Sequence, residues 1–160
     1  MTKIIEKLKT DLVAAMKAAK QAEGGSAEQK AQEGRKVVLR SVIGAIQTAE
    51  KSGKSPVEFN DKQVVTLLAS EVKKRRDTAA IYAGAGEQGR ADVELAEVAV
   101  ITEYLPKQLS REEVAGIVDE VLSTMENPVF GMVMKNVTAR TKGRADGKMV
   151  SEVVKEALAG

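Results

Sequence analysis

Five cations fall between positions 135 and 148 of the chain: Lys135, Arg140, Lys142, Arg144 and Lys148, with Asp146 as the one acid among them. Three of the five sit in the run Lys142-Gly-Arg-Ala-Asp-Gly-Lys148. Ammonium and guanidinium groups at this density are suited to holding phosphate, the ammonium as a point charge and the guanidinium as a planar fork. Glycine-flanked cations beside a helix N-terminus resemble a backbone-phosphate contact. The same run also reads as helix punctuation. Cations favour the last turn of a helix, Gly143 suits the left-handed residue that ends one, and Asp146 suits the N-cap of the next. Those caps account for Gly143 and Asp146 but do not require Arg144 or Lys148. On the residues alone both readings stand.

Other chemistry is harder to build from this composition. The chain has no Cys and no His, so there is no thiolate nucleophile, no disulfide and no imidazole base, and the commonest metal ligand is absent. Catalytic residues and a metal site are therefore expected to be lacking, and no cofactor is implied. Gly84-Ala-Gly86-Glu-Gln-Gly89 spells a dinucleotide-binding pattern. That pattern needs a preceding strand, and a charged helical segment stands there instead, so it reads as a helix–helix turn. Lys73-Lys-Arg-Arg76 spans more than one turn's worth of directions and has Glu71 and Asp77 beside it, so it reads as solvated helix surface. Glu112-Glu113 and the pair Glu94 and Glu97 have helix-surface roles rather than the spacing of an acid–base pair.

Aromatic residues make up only 2% of the 160 residues, namely Phe59, Tyr82, Tyr104 and Phe130. A core drawn from the 43% hydrophobic residues must use Val, Leu, Ile, Ala and Met, a mixture that favours closely packed helices. Few rings also argue against modules that stack single-stranded bases. A formal net charge of +2 neither demands nor excludes a nucleic-acid partner. The N-terminus holds no secretory apolar run, and nothing approaches the roughly 20 apolar residues that span a bilayer. A soluble, cytoplasmic protein without a membrane partner is expected.

Hydrophobic periodicity supplies the elements that would position the basic run. A helix is expected from Thr2 to about Ala22, with Ile4, Ile5, Leu8, Leu12, Met16 and Ala19 on one face. Ser26 with Gln29 makes a capping box that lets a helix restart, and Arg35 to Lys51 is helical with Val38, Leu39, Val42, Ile43 and Ile46 inward. Asn60 or Asp61 caps a third helix reaching about Tyr82. A fourth runs from about Ala91 to Tyr104 with Leu95, Val98, Ala99, Ile101 and Leu105 apolar. Three shorter helices follow Pro106: one opened by a Ser110–Glu113 capping box, one from Pro128 to Thr141, and one from Met149 to Leu158. No stretch alternates with period two. The expected fold is all-α, with an N-terminal region of about four helices over 1–106 and a compact three-helix unit over 107–160.

Lys73-Lys-Arg-Arg-Asp77, Ala99-Val-Ile-Thr-Glu-Tyr-Leu-Pro-Lys-Gln-Leu-Ser110, Gly131-Met-Val-Met-Lys135 and Lys142-Gly-Arg-Ala-Asp-Gly-Lys148 together resemble the YqeY family. These are small bacterial proteins akin to the tail domain of GatB, the tRNA-engaging subunit of the glutamine-dependent tRNA amidotransferase. The resemblance covers roughly Leu12 to the end. It implies a helical N-terminal region followed by a three-helix GatB/YqeY tail, and contact with tRNA without imported catalysis. Gln21 to Gly34 looks like an insertion of about a dozen residues relative to the family's short charged link, which leaves the placement of the first helix open.

The resemblance implies a non-catalytic accessory protein binding tRNA or another structured RNA. Lys142, Arg144 and Lys148 are the first contacts, Lys135 and Arg140 the next, and Gly131, Gly143, Asp146 and Gly147 shape the site. Gly131 would allow close helix packing or close RNA approach. The alternative is a protein–protein adaptor docking on an aminoacyl-tRNA synthetase or on a component of an amidotransferase complex, through exposed residues such as Met132 or Met149. A carbon–nitrogen ligase using glutamine and acting alone is a third possibility.

Overall fold

A computed structural model describes residues 3–160 and is all-helical over them. The seven helices are α1 (Lys3–Gln21), α2 (Ala27–Glu50), α3 (Asp61–Gly84), α4 (Gln88–Thr102), α5 (Arg111–Ser123), α6 (Phe130–Thr141) and α7 (Gly147–Ala159). The expected start of the first helix at Thr2 lies outside the described residues. The chain divides into two compact units, the first ending at Tyr104 and the second running from Leu105 to Gly160.

In the first unit α1 packs on α2 and α3 on α4. Ile5, Leu8, Ala15 and Ala19 are the buried residues of α1, while Leu12 and Met16 are only half-buried. The stretch 21–34 forms no separate appendage. It makes the α1–α2 turn and the first two turns of one continuous α2. The Ser26 hydroxyl accepts from the Gln29 amide at 3.1 Å, but the Gln29 side chain accepts from Gly25 N–H at 2.6 Å rather than closing the box on Ser26. The reciprocal box appears at α3, where Asn60 and Gln63 each accept the other's amide at 2.9 Å.

The glycine-rich segment 84–89 is a helix–helix turn: α3 reaches Gly84 and α4 begins at Gln88, with the turn resting on Gly86 at φ +78°. An expectation for this unit is corrected. Leu95, expected on the apolar side of α4, is 46% exposed, because Ala91, Val98 and Ile101 carry the packing.

Polar contacts fasten the helices at two places. Arg75, expected to be one of four solvated cations, is half-buried between α3 and α4 and bonds Glu71 at 2.6 Å and Glu97 at 3.0 Å. Its neighbours behave as expected of surface: Lys73 pairs with Asp77 and Lys74 with Glu71. At the end of α4, buried Tyr104 donates to Asp11 of α1 at 2.5 Å and accepts from Arg35 of α2 at 3.1 Å. Arg35 also holds Glu103 at 2.7 Å, and Lys7 lies 4.7 Å above the Tyr104 ring. Burial, and then the bond to Asp11, push the Tyr104 hydroxyl's pKa up. Burial alone would raise Asp11, but hydrogen bonds from Lys7 and Tyr104 and the charges of Lys7 and Arg35 bring it below the usual carboxylate value.

The second unit has its own core, made almost wholly of valine: Val114, Val118 and Val121 from α5, Val133 and Val137 from α6, and Val150, Val153 and Val154 from α7, with Leu109. Each such side chain contributes about 1.5–3 kcal/mol on burial. The helix itself takes most of the χ1 freedom of these β-branched residues, so burial of the formed helices removes little more.

Candidate nucleic-acid interface

The basic elbow joins α6 to α7 in the second unit, and its shape is set by the backbone. α6 ends at Thr141, whose buried hydroxyl returns to Val137 O at 3.0 Å. Thr141 O then accepts from the amides of Arg144 and Ala145 at 2.8 and 3.1 Å. Such a reversal needs one left-handed residue, and Gly143 supplies it at φ +76°. A side chain there would cost about 1–2 kcal/mol.

A second tie comes from the segment before α5. Leu109 N–H donates to Arg144 O at 2.6 Å. Gln108 Nε2 donates to Gly143 O at 2.9 Å and to Pro106 O at 2.8 Å. Gln108 and Leu109 thus hold the elbow in place; they stand in the Ala99–Ser110 segment that carries the family resemblance, but nothing in the sequence ties them to the site. Their signal is weak there, because a glutamine that bonds a carbonyl thirty-five residues away carries no local pattern.

Asp146 occupies the N-cap position of α7 with extended backbone (φ −67°, ψ 132°), but its carboxylate does not bond the helix amides. The expected side-chain cap is therefore not formed. Gly147 follows as the first helical residue, exposed and with open space where a Cβ would stand. Gly131 is corrected more sharply. It is exposed, and nothing lies within 4 Å of the position its Cβ would take, so it serves no close helix packing.

The five cations do not share one environment. Lys135, Lys142 and Lys148 are exposed and Arg144 is half-buried. None of these four has an ion pair among the described residues. Arg140 is different, because its guanidinium bonds Glu120 of α5 at 2.6 Å and so bridges α6 to α5. At 100° per residue it lies about 60° from the core-facing Val137, whereas Lys135 lies about 160° away. Lys135 therefore belongs to the outer surface and Arg140 to a helix–helix seam.

Acid and base are separated across this unit. From Arg111 to Glu126 the chain carries Glu112, Glu113, Asp119, Glu120 and Glu126 against Arg111 alone, while positions 130–148 carry the five cations against Asp146. The acids of α7 are also drawn toward α5, since Glu152 and Glu156 both bond Arg111, at 3.3 and 2.5 Å. α6 itself contains no acidic residue. A nearly neutral unit thereby presents one cationic side. Such a surface attracts polyanions and releases their counterions.

Elsewhere the structure offers little for chemistry. A hollow of about 200 Å³ lined by Ile5, Ile43, Ile46, Glu50 and Glu58 falls below the usual 300–1,000 Å³ of small-molecule sites, and a wider one of about 430 Å³ at the α1–α2 turn is an open surface depression lined by Ala18, Gln21, Glu23, Ser26 and Glu28. Among the described residues no group of acidic side chains is disposed to hold a metal ion, and no helix is long and apolar enough to cross a membrane.

Comparison with known proteins gives two findings. A family model described as Yqey-like protein matches residues 5–158. Among curated proteins, a glutamyl-tRNA(Gln) amidotransferase polypeptide of Aeropyrum pernix is 42% identical over 55 residues, covering 30% of this chain and 9% of that relative. The match thus takes in less than a tenth of the relative's length.

Proposed function

The chain belongs to the YqeY-like protein family, and from that premise we propose that it is a non-catalytic accessory protein that binds tRNA or a tRNA-like RNA through its C-terminal unit. The observation that carries this reading is the separation of charge in that unit, with four cations free of ion pairs, among the described residues, on and around an elbow fixed by backbone hydrogen bonds. Lys142, Arg144 and Lys148 make the first phosphate contacts and Lys135 extends them along α6. Arg140 contributes through its bridge to Glu120 rather than through RNA. The similarity to a tRNA amidotransferase polypeptide supports a place beside tRNA-dependent amidotransfer, in the cytoplasm where tRNA is charged.

A gel-shift experiment with unfractionated tRNA tests the assignment. The Lys142→Glu/Arg144→Glu variant should lose most of the binding, while Lys73→Glu/Lys74→Glu, which alters exposed cations of the first unit, should keep it. Equal binding by the first variant and the unaltered protein would rule the elbow out as the RNA contact.

One observation favours a second reading, the protein–protein adaptor. At the start of α6, Val129, Phe130 and Met132 are 58%, 40% and 53% exposed, and apolar groups left in water mark docking sites. Met149 is not among them, since it packs against the valine core. A pull-down with and without nuclease separates the two readings: a protein partner retained after RNA digestion favours the adaptor.

A further inference from the structure

Resting on the RNA-binding reading above, we infer that the ligand of the C-terminal unit is double-helical RNA, laid along the outer face of α6. α6 meets its neighbours through one narrow stripe, Val133, Val137 and Thr141, which are its buried residues. The opposite face carries, one per turn, Gly131, Lys135, Ala139 and, just past the helix end, Lys142. All four are exposed. Lys135 and Lys142 stand about 10 Å apart along the axis; Ala139 between them and Gly131 beyond are too small to stand out from the backbone, and exposed Met132 stands at the N-terminal edge of the face. No acid interrupts this face, and Glu120 of the neighbouring α5 is tied to Arg140 at the seam.

A low surface bearing spaced lysines matches the wide, shallow minor groove of A-form RNA. That groove is recognised by shape and backbone contact rather than by inserted side chains. Single strands are held otherwise, by rings on which bases stack, and no ring lies on this face. Phe130, the one aromatic residue of the unit, sits about 20° from the direction of core-facing Val137, with the Lys155 ammonium 5.7 Å above its ring. B-form DNA offers a narrow minor groove and a deep major groove that admits a whole helix, and a low face bearing two spaced lysines matches the shallow RNA groove better than either.

Fluorescence anisotropy on the full chain with three labelled probes of one sequence tests this: an RNA duplex of about 16 base pairs, the matching DNA duplex, and the RNA single strand. At one low salt concentration the RNA duplex should bind about fivefold or more tighter than either alternative. Gly131→Gln and Ala139→Gln supply the second arm. Both positions are exposed, so the variants should fold as well as the unaltered chain, yet each should weaken duplex binding about fivefold by raising the surface. A single strand or DNA duplex bound as tightly as the RNA duplex would overturn the inference, as would full binding by both glutamine variants. Binding of tRNA without binding of the duplex would overturn only this inference, whereas loss of all RNA binding would overturn the wider reading.

Discussion

The Tyr104 hydroxyl offers a direct test of how the first unit is fastened. It donates to Asp11 and accepts from Arg35, so Tyr104→Phe removes two charge-assisted bonds and leaves the ring's packing in place. Bonds to charged groups contribute about 1.5–3 kcal/mol. Asp11 and Arg35 are each about a quarter exposed and regain water when the hydroxyl goes, so the lower end applies, about 1.5–2 kcal/mol. That loss should lower the urea midpoint by about 1 M for a typical slope.

Its pH dependence has a definite sign. Burial and the bond to Asp11 hold the tyrosine in its protonated form above the ordinary value of about 10. The unfolded chain then ionises first, and the contribution, complete below about pH 10, drains away as pH rises toward the raised folded value. Asp11 behaves oppositely. Its folded pKa is lowered, so its contribution is present above about pH 4 and is lost as pH falls through the lowered folded value. Urea unfolding followed by circular dichroism should show the largest gap between the unaltered protein and Tyr104→Phe near neutral pH, narrowing at about pH 10.5 and about pH 3. Equal stability near pH 7, or a gap that widens above about pH 10, would refute the reasoning.

Three further outcomes follow from the same contacts. Arg75→Ala leaves Glu71 and Glu97 facing each other half-buried and should destabilise the α3–α4 pair by about 2–3 kcal/mol, read as a lower urea midpoint with tRNA binding unchanged. Gly143→Ala forces a side chain into the left-handed region and should cost about 1–2 kcal/mol while weakening tRNA binding through a displaced elbow; an unchanged melt would mean that the turn does not need glycine. Gln108→Ala removes the side-chain bond to Gly143 O, and should reduce tRNA affinity several-fold at a stability loss of about 1 kcal/mol, a split that fails if affinity is unaltered.

Helix periodicity made the architecture legible because each helix buries one stripe. The valine spacing in α5 to α7 and the Leu and Val spacing in α2 and α3 leave no other packing. Where the stripe is narrow, the sequence overstates it. Leu95 looks inward by spacing, yet Ala91, Val98 and Ile101 carry the packing of its helix without it. Arg75 misled for the converse reason, since a run of four cations reads as surface until the partner helix brings Glu97 to it. Gly131 and Asp146 show the limit of residue-type reasoning at the site. A glycine fits tight packing or open surface equally well, and an aspartate in the N-cap position need not cap the helix amides with its carboxylate. Lys142, Arg144 and Lys148 were legible as a cluster, but their separation from the acids of α5 depends on tertiary pairing through Arg111 and Arg140.

If the C-terminal unit holds RNA by its phosphates, the salt dependence of tRNA binding reports it most directly. Four contacts from Lys135, Lys142, Arg144 and Lys148 on duplex regions predict a slope of log affinity against log salt of about −3.6, a loss of about 150-fold between about 50 and 200 mM salt. In the Lys142→Glu/Arg144→Glu variant the slope should shrink to about −1.8 or less in magnitude. A near-zero slope for the unaltered protein, or the same slope for both proteins, would contradict phosphate binding by this unit.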